Sequence, residues 1–105
     1  MKEIRYDFAK EYSPYPGGRF IKLGDFSGEE FREKVLVPVF EAGDRIVIDA
    51  SGVKTSFSPS FLDEAFGEVA KRYTLKKFFE TVKVFSTENE LLEEKVKHYA
   101  EGAAG

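Results

Sequence analysis

The chain reads as a single α/β domain in the element order ββαβαβα, a four-stranded mixed sheet with its helices mainly on one face. Three observations predict this. Short segments alternate apolar and charged residues with the two-residue period of half-buried strands. Longer segments between them carry apolar residues at helical spacing behind Ser or Thr starts. Strands that alternate with helices in this way argue for parallel crossovers. Because the strands alternate in polarity rather than being apolar throughout, the helices are expected to cover one face. Arg5, Asp7, Lys22 and Lys83 then lie near water on the other.

Ile4, Tyr6 and Phe8 alternate with Arg5 and Asp7 and predict the first strand. Ser13-Pro14-Tyr15-Pro16-Gly17-Gly18 breaks the chain, and a φ above zero is expected at Gly17 or Gly18. Arg19 to Leu23 then reads as the second strand, with Ile21 and Leu23 on one face. Ser27 and Glu30 have the spacing of a capping box, and Phe26 and Phe31 that of a hydrophobic staple. The first helix should run from Gly28 to about Glu41 and stop at Gly43, with a bend or early end at Pro38. Arg45 to Ala50 is a β-branched run suited to a central strand.

Ser58 fits an N-cap and Pro59 the first position of the second helix. Phe61, Leu62, Ala65, Phe66, Val69, Ala70 and Tyr73 form its wide apolar face. Val82 and Val84 mark the last strand. Thr87 and Glu90 repeat the capping-box spacing before a third helix whose apolar side is Leu91, Leu92, Val96, Tyr99 and Ala100. The folded domain is expected over residues 1–100, with 101–105 as a frayed tail.

Composition narrows the function. At 105 residues and 11.9 kDa there is room for one domain, and a net charge of −3 argues against a nucleic-acid-binding surface. The absence of Cys removes disulfides, thiolate catalysis and thiolate metal sites. A single histidine, His98, leaves no multi-histidine metal chemistry, and its spacing from Glu94 is that of a helix-surface pair. Asp25 and Asp49 have no evident catalytic partner. No catalytic residue, metal ligand or cofactor is therefore expected, and the chain is read as non-enzymatic and cytoplasmic, with no membrane partner.

Three clusters remain as candidates. Thr55, Ser56, Ser58 and Ser60 place four hydroxyls in six residues at a helix start, where they either cap and solvate the turn or form a docking or modification loop; Asp63 follows in the first turns. Gly17, Gly18 and Arg19 are either a plain Pro/Gly loop or an anion-binding nest beside a guanidinium. Lys71, Arg72, Lys76 and Lys77 read as cations that complement a helix C-terminus.

Four blocks in order, YPGGRF (15–20), FSGEEFREKVLVP (26–38), VIDASGV (47–53) and SPSFLDEAFG (58–67), resemble the prokaryotic STAS-like domain family of unknown function, related to the anti-sigma-factor antagonists. The resemblance implies a STAS-like fold and a non-enzymatic regulatory module that binds a protein partner through loop 54–60 and the start of the second helix. The partner it implies is an ATP-binding kinase or anti-sigma-type regulator. Antagonists carry a phosphorylated Ser or Thr in a motif that resembles Asp-Ser-Ser/Thr-Gly-Leu. Aligning Leu62 with its Leu puts the acceptor at Ser60, with Ser58 as the other candidate. Ser58, Pro59 and Phe61 depart from the motif. The alternative is a module that senses a small anionic ligand or nucleotide, held by Gly17, Gly18, Arg19 and the N-terminus of the second helix.

Overall fold

A computed structural model describes residues 1–104. Its sheet has three strands, β1 (Glu3–Asp7), β2 (Arg45–Asp49) and β3 (Val82–Phe85), in the order β1-β2-β3 and all parallel. The β-branched run forms the central strand. Register aligns Ile4, Ile46 and Val82 in one row and Tyr6, Ile48 and Val84 in another, and these two rows face the core. Arg5, Val47 and Lys83 lie on the opposite face.

The expected four-stranded mixed sheet is thus corrected to three parallel strands. Residues 19–23 do not pair; Ile21–Leu23 is a single 3-10 turn. The reason lies in the next helix. Its first amides have no intrahelical partner and take acceptors from this loop. Gly28 N–H donates to Gly18 O at 2.8 Å and Glu29 N–H to Arg19 O at 3.0 Å. Ser27 Oγ accepts from Glu30 N–H at 3.1 Å, as the capping spacing predicts. Gly17 N–H in turn donates to Phe26 O at 2.8 Å. Within 19–23 itself Arg19 O, Phe20 O and Ile21 O accept, and Ile21 N–H donates to Glu29 Oε1 at 3.0 Å, so much of the backbone a strand would offer to a neighbour is in use.

Neither Gly17 nor Gly18 has a positive φ; Gly24 and Gly43 do. Gly17 is required for a different reason: a Cβ there would lie 2.3 Å from Asp25 O.

Among the described residues five helices accompany the sheet. A short α1 (Phe8–Glu11) follows β1 directly and was not evident in the sequence. Helix α2 spans 28–42 without a break, as Gly28–Phe31, a π-helical turn Arg32–Leu36, and Val37–Ala42. The π turn absorbs Pro38. Val37 N–H bonds Arg32 O, five residues back, so the wider register makes room for the proline ring and the helix neither ends early nor loses its course. Gly43 closes it in the left-handed conformation, as expected.

Helix α3 spans 59–73 in the same way, as Pro59–Leu62, a π turn Asp63–Gly67, and Glu68–Tyr73. Thr74, at φ 83°, separates it from α4 (Leu75–Thr81), which the sequence reading merged into a basic helix end. Helix α5 is Leu92–Ala104. Its start is set by Asn89 rather than Thr87: Asn89 Oδ1 accepts from Leu91 N–H and Asn89 O from Leu92 N–H. Leu91 consequently falls outside the helix and is exposed. Residues 101–104, expected as a frayed tail, continue the helix; Gly105 lies outside the described residues.

Phe31 is the centre of the core. Its ring lies within 6.1 Å, centroid to centroid, of Tyr6, Phe8, Tyr12, Phe61 and Phe66, which come from β1, α1, the turn after it and α3. The expected Phe26–Phe31 staple is bridged by Tyr12, whose ring contacts both and whose hydroxyl donates to Ser27 O at 2.8 Å.

Phe31→Ala should therefore cost about 3–5 kcal/mol and Ser27→Ala about 0.5–2 kcal/mol, read from denaturant midpoints. An unchanged midpoint for Phe31→Ala contradicts its central place. Burial, reinforced by Glu11, pushes the Tyr6 phenol up to about 12, and burial raises Tyr12 as well. An unfolded chain releases those protons first, near the ordinary value of 10.0. The stability these neutral phenols supply is full below that value and is lost as pH rises toward and through about 12. Urea midpoints should fall over that alkaline window, and less so in Tyr12→Phe.

Candidate functional site

The loops that follow parallel strands gather at the carboxyl end of the sheet, where α/β domains place their sites. Here those loops are residues 12–27, 50–58 and 86–91, and they are tied to one another. Lys54 N–H donates to Pro14 O at 2.8 Å, and Thr87 N–H donates to Ser51 Oγ at 2.9 Å. Asp49 ends β2 by accepting from Ser51 N–H at 2.9 Å, and hydrogen bonding from Ser51 holds its carboxyl below the ordinary range. Ser58 Oγ accepts from Phe61 N–H at 3.0 Å behind Pro59, so the cap expected for α3 forms.

An ion-pair network joins the first of these loops to both long helices. Arg19 Nη1 lies 2.9 Å from Asp63 Oδ2 and 3.2 Å from Glu64 Oε1. Arg32 Nη1 donates to both the carboxylate and the main-chain oxygen of Glu64, and Arg32 Nε to Glu33 Oε2 at 2.8 Å. Arg32 and Glu64 are each more than nine-tenths buried. The residues of this buried pair sit in the two π turns.

The structure brings several expected site residues together. Thr55 and Ser56 are exposed on loop 54–60, and Ser60 is half-buried on the first turn of α3. Ser58 is committed to the cap, and Asp63 to Arg19. The proposed anion nest does not assemble. The amide of Gly17 is bonded to Phe26 O, neither glycine adopts the left-handed conformation, and the Arg19 guanidinium is held by two carboxylates. Its charge is neutralised within the fold.

Two features escaped the sequence reading. One is the buried Arg32–Glu64 pair. The sequence carries no local signal of it: on an ideal helix Glu64 falls outside the apolar stripe of α3, next to Asp63 in the chain. The other is an apolar surface on loop 15–26. Leu23 is 70% exposed, Tyr15 56%, Ile21 50%, Phe26 39% and Phe20 36%. The alternation at 19–23 had suggested burial of Ile21 and Leu23 in a sheet; both face solvent instead.

Residues 27–92 match the family model described as a STAS-like domain of unknown function (DUF4325), and the chain belongs to that family. No curated protein and no solved structure matches it. Among the described residues no helix is long and apolar enough to cross a membrane.

Glu64→Leu removes the carboxylate that neutralises Arg32 in a nearly dry position, and should cost about 3 kcal/mol in a urea titration. The double variant Arg32→Met/Glu64→Leu should recover much of that loss, because no uncompensated charge remains at the buried position. A double variant less stable than the single one contradicts this reading of the pair.

Proposed function

We propose that this STAS-like domain is a non-enzymatic regulatory module. It binds a protein partner through loop 54–60, the first turns of α3 with Asp63, and the adjoining apolar loop 15–26. The observation that carries the reading is the cluster of five exposed apolar side chains on loop 15–26. Apolar surface of this kind is the usual core of a protein interface, with charged groups at its rim. The loop is pinned to α3 by Arg19 and Asp63, and the residue before it, Pro14, accepts from Lys54 N–H of loop 50–58. A partner thus meets one pre-ordered surface and spends little binding energy on ordering it.

The resemblance to anti-sigma-factor antagonists suggests an ATP-binding kinase or anti-sigma-type regulator as that partner, and Ser60 as the acceptor. Modification of Ser60 leaves the α3 cap intact, whereas Ser58 Oγ is engaged in it. Ser60 and Asp63 are three residues apart on one helix and are neighbours on its surface. A phosphate of about −1.5 to −2 charges on Ser60 competes with Asp63 for Arg19 and loosens the anchor of loop 15–26. Phosphorylation would in this way reduce partner binding.

The test is affinity capture from native lysate, followed by binding measurements with the purified partner. Ile21→Asp/Leu23→Asp should weaken binding at least about tenfold, and Ser60→Asp should weaken it while Ser60→Ala does not. Lys71→Glu, at the far end of α3, should bind as the wild type does. If the charged loop variant and Ser60→Asp both retain the partner at full affinity, the reading fails.

A further inference from the structure

A second feature at the same end of the sheet is a polar cleft of about 400 Å³ between the loops that follow β2 and β3. We infer that it binds a small phosphomonoester with a flat, hydroxylated body, of which a nucleoside monophosphate is the common example.

Four observations carry the inference. The first is position: the cleft opens at the carboxyl ends of two adjacent parallel strands, where α/β sheets bind small molecules. The second is size. About 400 Å³ falls within the range of organic-ligand sites and exceeds what a bare ion needs.

The third is the distribution of charge and donors. Lys54 and Lys95 both line the cleft, and among the described residues neither enters an ion pair. Thr55, Ser56 and Ser86 add hydroxyls. Ser86 Oγ already accepts from the amides of Glu88 and Asn89, both at 3.1 Å, so its proton is free to be donated outward. Two ammonium groups and three hydroxyls suit a dianion with three acceptor oxygens better than a carboxylate. Glu88, the one carboxylate on the rim, repels a phosphate beside it and accepts hydroxyls instead, which selects a ligand that carries both groups.

The fourth is the apolar part of the lining. Val53, Phe57 and Leu92 supply a surface for a planar body, and the Phe57 ring is held by Phe8 and Phe61 at 5.0 and 5.3 Å. The site differs from the nest expected at Gly17, Gly18 and Arg19. It meets the proposed interaction surface only at loop 54–60, whose Lys54, Thr55, Ser56 and Phe57 line the cleft, and not at the apolar loop: neither Ile21 nor Leu23 lines it.

Isothermal titration of the full chain with the four common nucleoside monophosphates, inorganic phosphate and adenosine tests the inference. At least one nucleotide should bind, with inorganic phosphate and adenosine each at least about tenfold weaker. Lys54→Ala and Lys95→Ala should each lower that affinity about tenfold, and added salt should lower it further. Lys71→Ala and Ile21→Asp/Leu23→Asp should bind as the wild type does, so loss of partner binding in the latter does not bear on this site. No heat from any nucleotide at millimolar concentration overturns the inference. So does nucleotide binding unaffected by both lysine variants, or inorganic phosphate that binds as tightly as the nucleotide.

Discussion

Glu64 places a carboxylate where solvent hardly reaches, and the carboxyl end of the sheet is arranged around neutralising it. A charge in such a position is costly unless it is paired and its lone pairs are satisfied. Arg32 meets it from α2 and Arg19 from the preceding loop. The two π turns widen the helices at the residues involved, and Gly28 lets the start of α2 approach α3 closely: a Cβ there would lie 2.6 Å from Phe61 O. The aromatic cluster around Phe31 buries apolar surface in this region, but that contribution is non-directional. The ion pairs are what give the loop one position relative to the helices.

That constraint accounts for how apolar side chains come to be displayed on a small domain. Five large apolar residues in a free loop would collapse onto the core or aggregate. Here the main chain of 17–19 is bonded to the start of α2, and Arg19 is clamped by Asp63 and Glu64, so Ile21 and Leu23 are held outward. Loop 50–58 connects this surface to the polar cleft. Its Lys54 amide holds Pro14, while the Lys54, Thr55 and Ser56 side chains line the cleft. A ligand in the cleft and a partner on the apolar loop would therefore share one structural element.

Local signals were legible in the sequence, and non-local ones were not. The caps at Ser27 and Ser58, the stop at Gly43, the central strand and the apolar face of α3 depend on residues within one or two turns, and all formed as expected. The second strand failed because alternation reports a periodicity, not a partner, and the orphan amides of α2 claimed the same backbone. Helix α4 was hidden because Thr74 turns the chain at a positive φ that β-branched residues rarely adopt. The Arg32–Glu64 pair spans 32 residues, and nothing within a turn or two of either residue marks it. At the site, the hydroxyl loop was legible from composition, whereas the apolar loop was misread as half-buried strand.

The buried ion pairs position the apolar loop. Amide hydrogen exchange in the wild type and in Arg19→Ala measures this directly. Gly17, Gly28 and Glu29 donate to or from that loop and report its docking, while Ile46 and Ile48 on β2 report the global fold. Arg19→Ala should lower protection at Gly17, Gly28 and Glu29 by at least about tenfold more than at Ile46 and Ile48. Equal changes at both sets, or none at the loop amides, would mean that the loop holds its place without the pairs.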